Sequence, residues 1–202
     1  FNGTFSADAD ITSWLKFNAT STINWGGTLY HHYDNALYGP KTGVNGELTK
    51  YQNTGFRTNH TQTLTYHNKF GEHNVNALVG HEYYDTKTYF LEASARGLFS
   101  PDIQEINASA NKYNSKGYKT EYNVEGYFLS AHYDYAQKYH ASVSYRRDAS
   151  SNFMKKDGRW WGDFWSVGLA WIASKENFLA DASWIDMLKL KASVGQQGND
   201  SI

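Results

Sequence analysis

The chain has 202 residues, 17% of them aromatic, and 19 basic against 20 acidic side chains for a net charge of −1. That balance excludes an electrostatic case for nucleic acid, which needs a basic excess, and the absence of cysteine excludes disulfide scaffolds, thiol nucleophiles and cysteine-based zinc sites. Mean hydropathy is −0.68, and with no apolar run of about 18 residues a helical span is excluded; a membrane β-barrel is not, because its strands alternate apolar and polar residues.

The dominant period is two. Phe5, Ala7, Ala9 and Ile11 alternate with Ser6, Asp8 and Asp10, and Leu15, Phe17, Ala19, Ser21, Ile23 and Trp25 with Lys16, Asn18, Thr20, Thr22 and Asn24. Val75, Ala77 and Val79 continue the pattern. So do Tyr127 to Tyr135, Tyr139 to Tyr145 and Leu188 to Val194. A strand with one apolar and one polar face gives this pattern; a helix does not. Eight strands are predicted, at about 3–11, 14–25, 56–68, 73–91, 119–135, 139–148, 163–172 and 186–195. Both prolines, Pro40 and Pro101, fall in polar connections, as expected of a residue that removes a ladder donor.

The connections alternate in length. Those at 11–14, 69–72 and 136–138 are tight, whereas 25–56, 91–119 and 149–162 are long; 174–184 is intermediate. Outer-membrane barrels have short turns at the periplasmic end and long loops outside. Tyr133, Tyr135 and Tyr139 flank one tight turn, with Trp14, Trp171 and Trp184 at the same predicted end. Trp25, Tyr127, Tyr145 and Trp165 lie near the other, as interfacial girdles require. The polar faces carry Asp8, Asp10, Lys16, His132, Asp134, His140, Lys189 and Lys191, which suit the lumen of a wide barrel. The competing architecture is a soluble carbohydrate-binding β-sandwich with a solvated sheet face. An eight-stranded barrel closed on itself would bury these charges unpaired, so the first and last strands are expected to pair with segments outside the chain.

Two blocks carry a resemblance. They are Ser144-Tyr-Arg-Arg-Asp-Ala-Ser-Ser-Asn-Phe153 and Gly158-Arg-Trp-Trp-Gly-Asp-Phe-Trp-Ser-Val-Gly-Leu-Ala-Trp171. Gly126 to Tyr139 precedes them; Ser174 to Leu179 and Trp184 to Asn199 follow. In this order and spacing they resemble the late-barrel signature of SusC/RagA-type TonB-dependent outer-membrane transporters, of Bacteroidetes type. The resemblance is strong over 119–200, weaker over 56–91, and one of pattern only over 1–55. The chain departs from it at Ala149, Asn152, Trp161 and Trp165, where glycine, arginine, no aromatic and proline are usual. The resemblance implies an all-β fold: about eight strands of an antiparallel transmembrane barrel of 22, with 1–202 inside a single barrel domain. The plug and TonB-interacting segment would lie outside the chain. It further implies a multi-pass protein of the bacterial outer membrane that imports oligosaccharides or peptides. Its partners would be a SusD-like surface lipoprotein, TonB and membrane lipid, with no nucleic acid and no cofactor.

Candidate functional residues fall into two groups. Tyr30, Tyr33, Tyr38, Tyr51, Trp160 and Trp161 decorate the predicted long loops, where rings and hydroxyls suit a substrate or partner; packing of the loop on itself is the alternative. Arg146 and Asp148 share a strand face as lumen charges, with Arg147 on the opposite side; an ion-pair network fixing the next loop is the alternative. His31, His32 and Asp34 offer only two adjacent histidines and one nearby carboxylate, not the three or four convergent donors a metal site wants. No nucleophile elbow or phosphate loop is present. Glu121 and Glu125 share a strand face rather than flanking a cleft, so no catalytic residue is assigned and the chain is read as no enzyme.

Overall fold

A computed structural model describes residues 1–152, 161–179 and 184–198. Alternating β-branched, aromatic and hydroxyl side chains suit a pleated surface with two different faces. Among the described residues, eight antiparallel strands accordingly pair in sequence order into one sheet. They are β1 (Asn2–Thr12), β2 (Leu15–Asp34), β3 (Glu47–Phe70), β4 (His73–Leu98), β5 (Ser109–Tyr135), β6 (Tyr139–Ser150), β7 (Trp161–Ile172) and β8 (Lys189–Gln196). β1 and β8 are the edges of the sheet, which is not closed. Among the described residues no second sheet packs on it, so the sandwich architecture is not met.

All eight predicted strands exist, but four are much longer than the sequence suggested. β2 runs to Asp34 rather than 25, β3 begins at Glu47 rather than 56, β4 continues to Leu98 rather than 91, and β5 starts at Ser109 rather than 119. The two thirty-residue loops shrink to 35–46 and 99–108. Gly26, Gly27, Gly55 and Gly117, of a residue type that locally favours turns, all lie within these strands. A Cβ at Gly27 would sit 3.1 Å from the Asn53 carbonyl oxygen, so this glycine permits close strand approach rather than a turn. β2, β3, β4 and β5 reach 20, 24, 26 and 27 residues, about twice the 9–11 needed to cross a bilayer.

The chain divides into two compact units. One comprises Phe1–Gly3, Ile23–Thr58 and Asp85–Glu121. Its small core is Leu48, Ala95 and Leu98. The 35–46 connection is fastened there by the Asn45 side chain, whose Nδ2 donates to the Leu98 carbonyl at 3.1 Å. The other unit comprises Thr4–Thr22, Asn59–Tyr84 and Tyr122–Ile202, and its strand segments are close to bilayer-crossing length.

Within this second unit the register sorts residues by face. Ala131, Val143, Val167 and Val194 stand opposite one another across β5 to β8. The neighbouring rows on the same face are Leu129–Tyr145–Trp165 and Tyr133–Ala141–Leu169–Ala192. The alternate rows are Ser130–Ser144–Ser166 and His132–Ser142–Gly168–Ser193. On β1 and β2 the polar face is stitched by Thr4–Thr22 and Ser6–Thr20, each 3.2 Å, and by Asn18 donating to Asp8 at 2.9 Å. The apolar face is open: Leu169 is 61% and Val194 64% exposed. Cross-strand apolar rows this exposed belong against hydrocarbon rather than water.

This geometry fixes a two-sided test. Val167→Arg, at the centre of the apolar rows, should cost ~2–4 kcal/mol when the full-length protein is refolded into lipid vesicles. Ser166→Arg, one residue away on the polar face, should cost much less, as read from the two urea midpoints.

Candidate functional site

On the polar face of the second unit, two carboxylates and an aromatic ring close on Arg146. Its Nε donates to Asp148 Oδ1 at 2.7 Å and Oδ2 at 2.8 Å, and its Nη2 donates to Glu82 Oε2 at 3.0 Å. The guanidinium carbon lies 5.5 Å from the centre of the Phe128 ring. Gly126 opposes Asp148 across the strands, and a Cβ there would come within 2.4 Å of Asp148 Oδ1. The two charges singled out in sequence are therefore each other's partners. Glu82 was missed, although its even position on β4, two beyond Gly80, places it on this face. Arg147 points the other way, 3.7 Å from Asp163 and 5.3 Å from the Trp161 ring. Further along the polar face a cavity of about 490 Å³ is lined by Asn74, His132, Asp134, His140 and Lys175. Within it Asp134 Oδ2 lies 2.8 Å from His140 Nδ1.

The first unit holds an aromatic ladder across four strands. Tyr30 on β2 stacks on Tyr51 on β3, centroids 4.6 Å apart and planes 12° apart. Tyr51 meets Phe90 on β4 at 5.6 Å, and Phe90 stacks on Tyr118 on β5 at 4.9 Å. Beside the same strands, Glu47 accepts from Lys41 at 3.0 Å and from Arg96 Nε at 2.8 Å, while the Arg96 guanidinium covers the Tyr113 ring at 4.2 Å. Sequence reading found Tyr30 and Tyr51 but not their partners, because Phe90, Tyr118 and Arg96 fell in segments taken as a strand end or a loop.

The predicted loop residues therefore separate. Tyr30, Tyr33 and Tyr51 are strand residues rather than loop residues, because β2 and β3 extend past the glycines. Tyr33 is half-buried, its hydroxyl accepting from the Ala36 amide at 3.3 Å. Tyr38 does lie in a connection and is 73% exposed. Trp161 opens β7 in the other unit, beside Tyr127 at 6.1 Å and under Arg147, and so borders the apolar face. Trp160 lies outside the described residues. Among the described residues no group of three metal-binding side chains converges; His32 meets Asp34 at 3.4 Å.

Beyond the strand ends, Glu176 gathers donors from the β5–β6 turn and from β6 and β7. It accepts from Tyr139 Oη at 2.5 Å, Trp171 Nε1 at 3.1 Å and Lys138 Nζ at 3.1 Å. The Tyr139, Trp171 and Lys138 hydrogen bonds hold its carboxyl at about 2, well below the ordinary value.

One exposed apolar face, one hydrogen-bonded polar face and alternating short and long connections define a segment of a membrane β-barrel wall. Comparison with known proteins supplies the family. The chain is 31% identical over its whole length to TonB-dependent receptor P3 of Formosa agariphila, of which it spans 20%. It is 27% identical over 79% of its length to TonB-dependent receptor SusC of Bacteroides thetaiotaomicron, spanning 15% of that protein. Its fold matches all of the chain to 22% of a chain in the structure of the RagAB peptide transporter, with a TM-score of 0.87 at 22% identity. No protein-family model matches. The chain is a SusC/RagA-type TonB-dependent transporter segment. It spans about a fifth of the curated relatives it matches.

Two outcomes follow from the site. Gly126→Ala should force apart the Arg146–Asp148 pair and cost ~1–3 kcal/mol as an overpacking change, seen as a lower urea midpoint of the full-length protein, with Gly26→Ala, where a Cβ meets nothing within 4 Å, as comparison. The Glu176 contact should be pH-dependent in one direction. Its pKa is depressed on folding, so its stabilisation is complete above the ordinary carboxylate value and fades as pH falls towards about 2. Proteolysis of the 173–188 connection should be unchanged from pH 8 to 5 and rise below that, whereas Glu176→Gln should show the fast rate at every pH.

Proposed function

We propose that the full-length protein is a TonB-dependent importer of nutrients in the bacterial outer membrane, and that residues 1–202 are part of the wall of its single barrel domain. The carrying observation is the face segregation across β5 to β8, with exposed valine, leucine and aromatic rows on one side and serine, histidine and charged rows on the other. In the proposed barrel the apolar face meets lipid and the polar face, with Arg146 and Asp148, lines the lumen. The edges of β1 and β8 pair with other strands of the same barrel, since an unpaired edge is untenable in hydrocarbon. The relatives are described as receptors and a transporter, which supports import rather than catalysis.

The substrate is an oligosaccharide or a peptide, delivered with a SusD-like surface lipoprotein and driven by TonB through a plug-bearing region outside these residues. The solved neighbour is itself described as a peptide transporter. The connections 35–46 and 99–108 face the outside of the cell. Near them the hydroxyl edges of the strand residues Tyr30, Tyr33 and Tyr51, with the exposed Tyr38, contact the substrate or the lipoprotein, and Trp160 and Trp161 serve the same contact from the third long connection and the start of β7.

Topology and activity are tested together. An epitope inserted at Gly39 should be labelled on intact cells, and one inserted at Ala136–Gln137 only after the outer membrane is opened. Deleting the gene should abolish energised uptake of the cognate oligosaccharide or peptide. The reverse labelling pattern, or unchanged uptake of every class offered, rejects the proposal.

A further inference from the structure

The connection between β7 and β8 differs from the other connections at its end of the sheet. The β1–β2, β3–β4 and β5–β6 turns occupy residues 13–14, 71–72 and 136–138, whereas this one runs from 173 to 188. Its described residues form two short 3-10 turns, Ala173–Lys175 and Asn177–Leu179. They are pinned rather than loose: Glu176 holds Lys138, Tyr139 and Trp171, and the Ser174 amide donates to the Leu188 carbonyl at 3.3 Å.

Trp171 stands opposite Tyr139 and Leu190, in the last row of the apolar face. Its ring lies 6.3 Å from that of Phe178, which is 71% exposed. The apolar face therefore does not stop with β7 but continues onto Phe178. The polar tips of Tyr139 and Trp171 both reach Glu176, with Lys138 beside it. Rings on the apolar side and their N–H and O–H groups on a charged cluster match the layered chemistry of a headgroup boundary.

We propose that residues 173–179, the segment following β7, form a membrane-interface contact, in which Phe178 extends the apolar face past the strand ends and seats against the acyl chains of the lipid layer at the tight-turn end. The inference rests on the lipid-facing reading of the Leu169 and Val167 rows. Its occupant is phospholipid, because the surface is continuous with the apolar face and edged by a carboxylate and an ammonium group rather than by a closed pocket.

The test uses the unaltered full-length protein in vesicles containing a phospholipid with a photoactivatable diazirine in its acyl chain. After illumination, peptide mapping should place adducts on Phe178 as well as on Leu169 and Val167, with none on the 136–138 turn. Phe178→Ser should lose adducts in 173–179 and keep those on Leu169. Adducts on Leu169 and Val167 but none in 173–179 would overturn this inference and leave the barrel reading standing. No adducts on Leu169 or Val167 would overturn both.

Discussion

In hydrocarbon no water is available to satisfy a backbone N–H or C=O, so every such group in a membrane wall must find its partner in the next strand. That constraint fixes the side-chain period at two, and every residue must then choose between lipid and the interior. The choice made at Val143 determines those at Val167 and Val194, because the three are register partners. A slip of one residue would turn serine and histidine rows into lipid and valine rows inward. The hydroxyl pairs, such as Ser144 with Ser166 at 2.7 Å, are the same constraint seen from the other face.

The polar side is charged but largely self-satisfied. Arg146 is closed by Asp148, Glu82 and the Phe128 ring, and Glu47 by Lys41 and Arg96. Such pairs hold strands in place more than they reach for a ligand. The aromatic ladder is similar in kind. Tyr30 and Tyr51 lie face to face, so the surface they present is edges and hydroxyls rather than open ring faces. That favours hydrogen bonding over broad stacking on whatever approaches them.

The faces of β5, β6 and β8 were legible because period-two alternation runs along them: Leu129, Tyr145 and Val194 fall on the side the sequence assigns. The count of strands was legible for the same reason. The lengths of β2 to β5 were not. Glycine signals turns when read locally, but Gly27 is in a strand because its neighbour on β3, Asn53, comes close, and that neighbour lies far along the chain. Arg146 and Asp148 were visible as a same-face pair two residues apart. Glu82 could not be tied to them, since only strand pairing brings β4 beside β5 and β5 beside β6. The Glu176 cluster was hidden likewise, with donors contributed by Lys138 of the β5–β6 turn and Tyr139 of β6.

Gly80 and Phe128 illustrate what such long-range pairing imposes on the family's history. A Cβ at Gly80 would lie 2.2 Å from the Phe128 ring, so one position is empty because the other is full. Neither can be read as an independent character. A lineage that enlarges Gly80 first meets a collision, whereas one that shrinks Phe128 first opens a void that a larger residue at 80 then fills. The order of events is therefore constrained, and the two sites should co-vary among descendants as a single unit of volume rather than as two conserved residues.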